Sequence, residues 1–345
     1  MQRLAEIRAA LASHGIRPHK RMGQNFLVDT NMLRAIVRDA EVDLGDCVLE
    51  VGPGSAGLTQ ALADEAGLVV ALELDRGMFD VAREFLALRE NVVLLQGDAL
   101  TAEGRLHQAL EGLLHAYLSH GLFHVEESDF ERSVVPAARP PRLGRLKCVS
   151  NLPYNAAGPI IMALLESALP FERLVVMVQY EVGEKLCARP GNAAYGILSL
   201  LRAQFADARI IRKVPASVFW PRPTVASALV ELRPARRPDS AAYARLRQLV
   251  HVFFTHRRKR AANALGNALG VNAKQAEAWI VAAGGNPGLR PDELDYAVLQ
   301  KLADMGEVAR RAHDIVHEAD LRARLKAERA ARRAGWRKPR SDEEE

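Results

Sequence analysis

The chain has 345 residues, of which 49% are hydrophobic and 26% are charged, and its formal net charge at pH 7 is +5. These values are ordinary for a globular protein, and the length predicts two domains, each large enough for its own core. The basic balance is a weak indication of a nucleic-acid partner, for which the position of the charges matters more than their total.

Cysteine and histidine usage argues against a disulfide or metal framework. The three cysteines are widely spaced and include no Cys-x-x-Cys pair, which predicts reduced thiols in a cytoplasmic protein. Cys47 and Cys148 adjoin strand-like runs, so we expect both to be small buried side chains. Four histidines between residues 107 and 124 fit no standard metal spacing, and we predict no metal site.

The amino terminus does not have the pattern of a signal peptide. Its first 21 residues contain no apolar core segment and carry Glu6. No run reaches the roughly 18 apolar residues that a membrane span needs. We therefore predict a cytoplasmic protein without a membrane segment.

Residues 4–13 have helical spacing of apolar side chains, and an unusual polar stretch, residues 20–29, follows. In that stretch the Asn25 side chain and the backbone near Leu27 could bind a ligand. The alternative is a loop whose Asp29 or Thr30 caps a helix over residues 31–40. These residues alone leave the two interpretations open.

A strand over residues 47–51, a glycine-rich turn and a helix then open a βαβ unit. Gly52 and Gly54 in the turn allow the backbone to approach a ligand above a helix N-terminus. The next strand, residues 68–72, ends at Glu73, 21 residues after the first glycine. An acidic residue at about that distance is the expected ligand of a ribose hydroxyl.

The pattern Gly52-x-Gly54-x-x-Gly57 also matches the dinucleotide fingerprint, so it does not separate NAD from S-adenosylmethionine. Glu50 favours S-adenosylmethionine. A carboxylate at that position can face the ammonium group of the methionine, whereas it would repel a pyrophosphate.

A third strand, residues 92–95, leads to Asp98, whose carboxylate could accept a hydrogen bond from an adenine amino group or serve as a turn or helix cap. Residues 101–145 then form an insertion that is too long for a compact crossover. We predict a helix over residues 103–117 and a proline-containing surface loop after it.

A β-prone stretch, residues 146–149, runs into Asn151-Leu152-Pro153-Tyr154 at the predicted carboxyl end of a strand. Asn151 offers a side-chain carbonyl, Pro153 restricts the direction of the Leu152 carbonyl, and Tyr154 offers a flat face. Two acceptors and a stacking surface suit the exocyclic amino group of a nucleobase. The alternative is a loop with an Asn turn and a core tyrosine.

The chain continues with alternating helices and strands up to about residue 232. We predict helices over residues 160–168, 182–188 and 195–205, and strands over 174–178, 208–214 and 225–232. Between the last two strands, Phe219 or Trp220 could form the second face of a base sandwich or a hydrophobic plug. Residues 234–238 are a predicted linker.

A helical segment, residues 240–304, carries a basic cluster beside two aromatic residues. Its cations are Arg257, Arg258, Lys259 and Arg260. These residues suit phosphate contacts on structured RNA, and the alternative is a solvated basic face. Residues 305–345 are predicted to be a basic tail, helical or disordered.

Taken together and in order, these stretches resemble the KsgA-type ribosomal RNA adenine dimethyltransferases over about residues 1–304. The matching motifs are Gly23-Gln24-Asn25-Phe26-Leu27, Glu50-Val51-Gly52-Pro53-Gly54, Glu73-Leu74-Asp75-Arg76, Gly97-Asp98-Ala99, Asn151-Leu152-Pro153-Tyr154, Phe219-x-Pro221-x-Pro223 and Phe254-x-x-Arg257-Arg258-Lys259. Each motif is weak by itself, whereas the ordered set is specific.

The resemblance implies an α/β fold, with a Rossmann-like methyltransferase sheet over residues 1–233 and a small all-helical RNA-binding domain over 240–304. It implies dimethylation of N6 on two adjacent adenines near the 3′ end of 16S rRNA in the immature small ribosomal subunit. We expect a monomer with a role in subunit biogenesis. The implied contacts of S-adenosylmethionine are Asn25, Leu27, Gly52, Gly54, Glu73, Asp98 and Asn151.

In the implied mechanism, the side-chain carbonyl oxygen of Asn151 and the backbone carbonyl oxygen of Leu152 accept hydrogen bonds from the amino group of the adenine. Pro153 fixes the turn, and Tyr154 and Phe219 stack on the base. The sequence departs from the family pattern at Ala156-Ala157-Gly158, where members usually carry Ile and a Ser/Thr pair, and this difference bears on the fine positioning of the base. The third glycine of the turn is at 57 instead of 56, and the resemblance does not extend to the insertion or the tail.

Three alternatives remain at this point. An Erm-type enzyme acting on 23S rRNA shares most of the motifs. An NAD-dependent dehydrogenase fits the glycine pattern but leaves residues 151–154 and the basic cluster unexplained. A ribosome-assembly or RNA-binding factor would keep the fold without needing catalysis.

Overall fold

The computed structural model describes residues 3–16, 25–120, 130, 132–134 and 144–335. The chain divides into two units, one formed by residues 1–188 with 201–237 and the other by residues 189–200 with 238–345. The domain limits predicted from the sequence stay predictions, and each unit is described by itself.

The elements run in chain order as follows. They are α1 Leu4–Ser13, β1 Phe26–Leu27, α2 Thr30–Asp39, β2 Asp46–Val51, α3 Gly57–Ala63, β3 Leu68–Glu73, α4 Arg76–Leu86, β4 Val92–Gln96, α5 Gln108–His120, β5 Arg132–Val134, β6 Arg145–Asn151, α6 Ala157–Glu166, β7 Phe171–Gln179, α7 Tyr180–Cys187, α8 Ile197–Arg202, β8 Ala206–Val214, β9 Phe219–Trp220, β10 Ser227–Pro234, α9 Ser240–Phe253, α10 Ala261–Leu269, α11 Ala273–Ala282, α12 Tyr296–Asp304 and α13 Gly306–Gly335.

The first unit is built on an eight-stranded sheet in the order β5-β4-β3-β2-β6-β7-β10-β8. The strands β2, β3, β4, β6 and β7 are parallel, and β10 pairs antiparallel with both β7 and β8. In chain order the parallel strands lie as 3-2-1-4-5, so the winding direction reverses between β2 and β6. The predicted Rossmann-like α/β fold is confirmed, and the reversal is the switch point at which such sheets bind ligands.

The central strands are buried and mostly apolar because helices cover both faces of the sheet. All residues of β2, β3 and β4 are buried. Cys47 and Cys148 are buried free thiols in this layer, as predicted. Aspartate side chains define where two of the covering helices begin, because Asp29 caps α2 at the Met32 N–H and Asp75 caps α4 at the Met78 N–H.

A separate two-stranded sheet joins β1 to β9, with Phe26 opposite Trp220 and Leu27 opposite Phe219. The Trp220 ring stacks on Phe26 with centroids 6.3 Å apart, and the Arg8 guanidinium lies 4.8 Å from the centroid of that Trp220 ring. This pairing fixes residues 25–27, at the end of the polar stretch, to the proline-rich loop near residue 220.

The insertion contributes two described elements. Its helix α5 begins at Gln108, five residues later than predicted, and buries Leu110, Leu113, Leu114 and Tyr117. The strand β5 pairs antiparallel with β4 and adds an edge strand that was not predicted. Three residues are too few to show a periodic pattern, so the sequence carries no signal for this strand. Most of the predicted surface loop and His124 lie outside the described residues.

The second unit is helical, and the predicted helical carboxyl-terminal region is confirmed. Side chains cap two of its helices, Asp239 at α9 and Asn272 at α11. The last helix, α13, buries Val308 and Ala312. Within the described part of the chain, no helix combines the length and apolar character that crossing a bilayer requires.

Candidate active site

A cavity of about 680 Å³ opens at the carboxyl ends of the parallel strands, at the switch point between β2 and β6. It brings together predicted residues that are widely separated in the chain. These are Asn25, Leu27, Gly52, Gly54, Glu73, Asp98, Asn151, Leu152, Pro153 and Tyr154.

The glycine turn after β2 adopts a backbone that only glycine takes up without strain. Gly52 has φ +76° and Gly54 has φ +56°. A Cβ atom on Gly54 would lie 3.3 Å from the Phe26 ring. Ala56 stands where the resemblance noted above would have placed the third glycine, and it also adopts a left-handed conformation, with φ +62°. The left-handed turn is therefore retained at residue 56 without its glycine.

Glu73 fixes this turn from the neighbouring strand. Its Oε2 accepts a hydrogen bond of 3.0 Å from the Gly54 N–H, and its Oε1 accepts one of 2.9 Å from the Asp75 N–H. Burial raises the pKa of Glu73, and these backbone hydrogen bonds oppose the rise. The carboxyl group is thereby held in a defined orientation at the cavity wall, where it can meet a ribose hydroxyl.

Glu50 is a buried carboxyl group in the same wall. It is 1% exposed, and its Oε2 meets no hydrogen-bonding geometry with another group among the described residues. Burial and, to a smaller extent, the negative charge of Glu73 raise the pKa of Glu50 to about 8, while the neighbouring Thr59 hydroxyl group opposes the rise. A buried, unsatisfied carboxyl oxygen in a cavity wall is suited to an incoming cation, such as the ammonium group of a methionine.

The two central strands separate where the cavity begins. The paired register of β2 with β6 ends at Leu49 and Cys148. Beyond that point the Ser150 Oγ, instead of a backbone carbonyl, accepts a hydrogen bond of 2.9 Å from the Val51 N–H. This substitution of a side chain for a ladder bond leaves room between the strand ends for a ligand.

Asn151 is anchored through its amide nitrogen. Its Nδ2 donates a hydrogen bond of 3.2 Å to the Asn25 carbonyl oxygen, across 126 residues of sequence. The Leu152 N–H donates to the Met177 carbonyl oxygen at 3.1 Å, and the Ala156 N–H closes a turn on the Pro153 carbonyl oxygen at 3.0 Å. With its nitrogen committed to Asn25, Asn151 has its Oδ1 as the acceptor that a ligand can use.

Tyr154 follows in this turn, and its hydroxyl group forms a hydrogen bond of 2.7 Å with the Ser227 Oγ. Burial raises the pKa of Tyr154, with the Ser227 hydrogen bond opposing the rise, so the phenol stays protonated at neutral pH. Ser227 was not among the predicted site residues. A serine at the start of the otherwise apolar run Ala228-Leu229-Val230 was the available signal.

Asp98 lies at the edge of the cavity after β4. Its side chain is exposed, and its Oδ1 accepts a hydrogen bond of 2.9 Å from the Leu100 N–H. The carboxylate therefore stabilises its own turn, as one of the two sequence interpretations held, and also borders the cavity, as the other one required.

Phe219 is not among the residues that line this cavity, and its role as a stacking residue stays a prediction. Its side chain is 4% exposed and packs in the hydrophobic core of the sheet. The reason is the pairing of β9 with β1, which places Phe219 opposite the buried Leu27. The predicted alternative, a hydrophobic plug, describes this position.

The basic cluster lies in the second unit, after α9. All four of its side chains are exposed. The Arg257 Nη1 donates a hydrogen bond of 3.2 Å to the Tyr195 carbonyl oxygen, and Arg260 immediately precedes α10. Because the turn between two helices presents all four cations to solvent, they are available to an anionic partner.

The acceptor groups of the cavity fit S-adenosylmethionine. Glu50 offers an unsatisfied acceptor suited to an ammonium group, Glu73 offers a carboxylate suited to ribose hydroxyl groups, and Asp98 offers one suited to an adenine amino group. The close carboxylates would disfavour the pyrophosphate of NAD. No group of three or more His, Cys, Asp or Glu side chains in the described ranges is arranged to hold a metal ion.

Comparisons with known proteins point to one family. The family model described as "Ribosomal RNA adenine dimethylase" matches residues 15–283. The "Ribosomal RNA small subunit methyltransferase A" of Moorella thermoacetica is 39% identical over 293 residues, which cover 83% of this chain and 91% of the relative. The protein of the same name from Phenylobacterium zucineum is 35% identical over 313 residues, covering 90% of this chain and 96% of the relative.

Two solved structures share the fold. A dimethyladenosine transferase from Plasmodium falciparum has a TM-score of 0.56 at 20% identity, covering 82% of this chain and 98% of its own. The 23S rRNA methyltransferase ErmE has a TM-score of 0.51 at 24% identity, covering 84% of this chain and all of its own. At these identities the similarity concerns the fold alone. The family match and the curated relatives over most of the chain lead to the conclusion that the protein belongs to the ribosomal RNA adenine dimethylase family.

Proposed function

We propose that this protein uses S-adenosylmethionine to dimethylate N6 of two adjacent adenines near the 3′ end of 16S rRNA in the small ribosomal subunit. The anchoring of Asn151 carries the proposal. Its side-chain nitrogen, Nδ2, donates a hydrogen bond to the backbone carbonyl oxygen of Asn25. The side-chain Oδ1 of Asn151 then remains as an acceptor beside the cofactor cavity. The relatives named for the small subunit favour this substrate over the large-subunit rRNA of ErmE.

Adenine N6 is a poor nucleophile because its lone pair is delocalised into the ring. The Asn151 Oδ1 and the Leu152 backbone carbonyl oxygen accept hydrogen bonds from its two N–H groups. That arrangement favours a pyramidal nitrogen with a localised lone pair. S-adenosylmethionine supplies the electrophilic methyl group, and the residues of the turn supply alignment and electrostatics.

Tyr154 stacks against the adenine after the base leaves its helix or loop. No strong base is required, because the nitrogen becomes acidic once it carries the methyl group, and its proton then passes to solvent. After the first transfer one N–H remains, so one of the two acceptors still holds the monomethylated nitrogen for the second transfer.

The exposed cations of residues 257–260 contact rRNA phosphates in this proposal. We also propose that the protein acts as a monomer in the cytoplasm, on immature small subunits and with a role in their biogenesis. Each catalytic group named above belongs to one chain, so a second copy is not needed to complete the site.

The test is to incubate the purified protein with methyl-labelled S-adenosylmethionine and either immature small subunits or large subunits, and to map the labelled bases. We expect dimethylated label on two adjacent adenines near the 3′ end of 16S rRNA. Label confined to 23S rRNA would indicate an Erm-type activity. Tight RNA binding without any label would indicate a non-catalytic assembly factor.

A further inference from the structure

The Tyr154 ring needs an anchor to present one face reproducibly. It sits in a turn at the end of β6, and a tyrosine side chain has two torsions about which the ring can change direction. Its hydroxyl group forms the 2.7 Å hydrogen bond with the Ser227 Oγ. This contact defines the position of the hydroxyl end of the ring, although Ser227 is 73 residues away from Tyr154 in the sequence.

Ser227 is a rigid anchor because two strands hold its backbone. It is fully buried at the first position of β10, opposite Gln179 of β7 and opposite Val214 of β8. A hydroxyl group at a buried position is unfavourable unless it is hydrogen bonded. The Tyr154 hydroxyl group supplies that bond, so each group satisfies the other.

The geometry points to Ser227 as a positioning residue for methyl transfer, which acts through Tyr154 by fixing the angle of the ring on which the target adenine stacks. This inference rests on the proposed function and deepens it at one residue. Ser227 touches neither adenine nor cofactor in this scheme. Its contribution is the alignment of the adenine nitrogen, which bears on the rate of transfer more than on binding.

A double-mutant cycle tests this role with Ser227→Ala, Tyr154→Phe and the combined variant on immature small subunits. Each single variant is expected to lower kcat about tenfold, while KM for the subunits and the calorimetric Kd of S-adenosylmethionine stay within about twofold of wild type. The combined variant is expected to be no slower than either single variant, because both remove the same hydrogen bond. Ser227→Thr, which keeps the hydroxyl group, is expected to restore most of kcat.

Ser167→Ala is the matched control, because Ser167 is a buried serine whose hydroxyl group donates to the Leu164 carbonyl oxygen at the end of α6. It is expected to reduce the melting temperature without changing kcat. If Ser227→Ala does not fold, Tyr154→Phe and Ser227→Thr still measure the hydroxyl pair.

An unchanged kcat in Ser227→Ala, or effects of the two single variants that multiply in the combined one, would overturn the assignment. Equal losses of kcat and cofactor affinity would also overturn it, since they indicate a general structural defect. If the double-mutant cycle gives one of these contradicting results while the wild type still dimethylates the two adenines, only the role of Ser227 is refuted and the proposed function stands. Absence of transfer by the wild type would refute the proposed function itself.

Discussion

Replacing Glu50 by glutamine should stabilise the protein without its cofactor and weaken cofactor binding at the same time. The Glu50 side chain is buried at the cavity wall. Burial and the Glu73 charge raise its pKa from an ordinary 4.5 to about 8, although the Thr59 hydroxyl group opposes the rise. At pH 7 the folded protein without cofactor therefore holds this group mostly protonated, whereas the unfolded chain ionises it.

The free energy of unfolding follows from this difference in proton binding. Because the pKa is raised on folding, Glu50 does not reduce the free energy of unfolding below pH 4.5, where it is protonated in both states. The free energy of unfolding then falls progressively as the pH rises towards 8, because the unfolded chain releases the proton and the folded protein keeps it. At pH 7 the loss corresponds to about 3 kcal/mol, at roughly 1.4 kcal/mol per pH unit. Glutamine has nearly the same shape and does not ionise, so the variant avoids this loss.

The cofactor reverses the preference at this site. An ammonium group beside Glu50 favours the carboxylate, so cofactor binding below pH 8 should release the Glu50 proton. The cofactor affinity should therefore increase as the pH rises towards 8, by up to about tenfold per pH unit. Glu50→Gln removes the acceptor charge, and its cofactor affinity should be weaker and should have a flatter pH dependence.

The assay pairs urea unfolding at pH 5.5 and 7.5 with calorimetric titration of S-adenosylmethionine in two buffers of different ionisation enthalpy. The exposed Glu65 at the end of α3 provides the control Glu65→Gln, which should change neither measurement. An equal stability gain of Glu50→Gln at the two pH values would contradict the raised pKa of Glu50. Release of the same number of protons by wild type and variant on binding would contradict a contact between Glu50 and the ammonium group.

Three further outcomes are expected. Gly54→Ala should lower the free energy of unfolding by about 1–2 kcal/mol and weaken cofactor binding, because the residue has φ +56° and an added methyl group would press on the Phe26 ring. Urea unfolding measures the first effect, and Gly144→Ala is the control because the space around Gly144 is open. Asn151→Ala should lower kcat about 100-fold or more while the calorimetric Kd of the cofactor rises only a few fold, and full methyl incorporation would contradict the proposed acceptor. Reversal of the three charges at residues 257–259 should weaken RNA binding in filter assays and reduce the slope of log K against log salt by about 0.7–0.9 per lost phosphate contact, so an unchanged slope would count against this surface.

Local features of the site could be predicted from the sequence because they depend on neighbouring residues. The spacing of Gly52, Gly54 and Glu73 specifies a strand, a turn and a second strand, and the structure has all three. Asp29 as a helix cap follows from the same local logic, since a side-chain oxygen reaches N–H groups two or three residues later. The resemblance of the ordered motifs to one family was equally readable, and the family match confirms it.

Contacts between distant segments were decided by the tertiary structure alone. The bonds of Asn151 with Asn25 and of Tyr154 with Ser227 join residues 126 and 73 positions apart. Both depend on sheet order and strand register, which sequence spacing does not encode. The same register placed Phe219 in the core, where the sequence allowed a stacking role. The sequence alone determined which chemical groups stand at the strand ends, and the packing of those strands determined which groups meet, because hydrogen bonds need distances that only the folded chain sets.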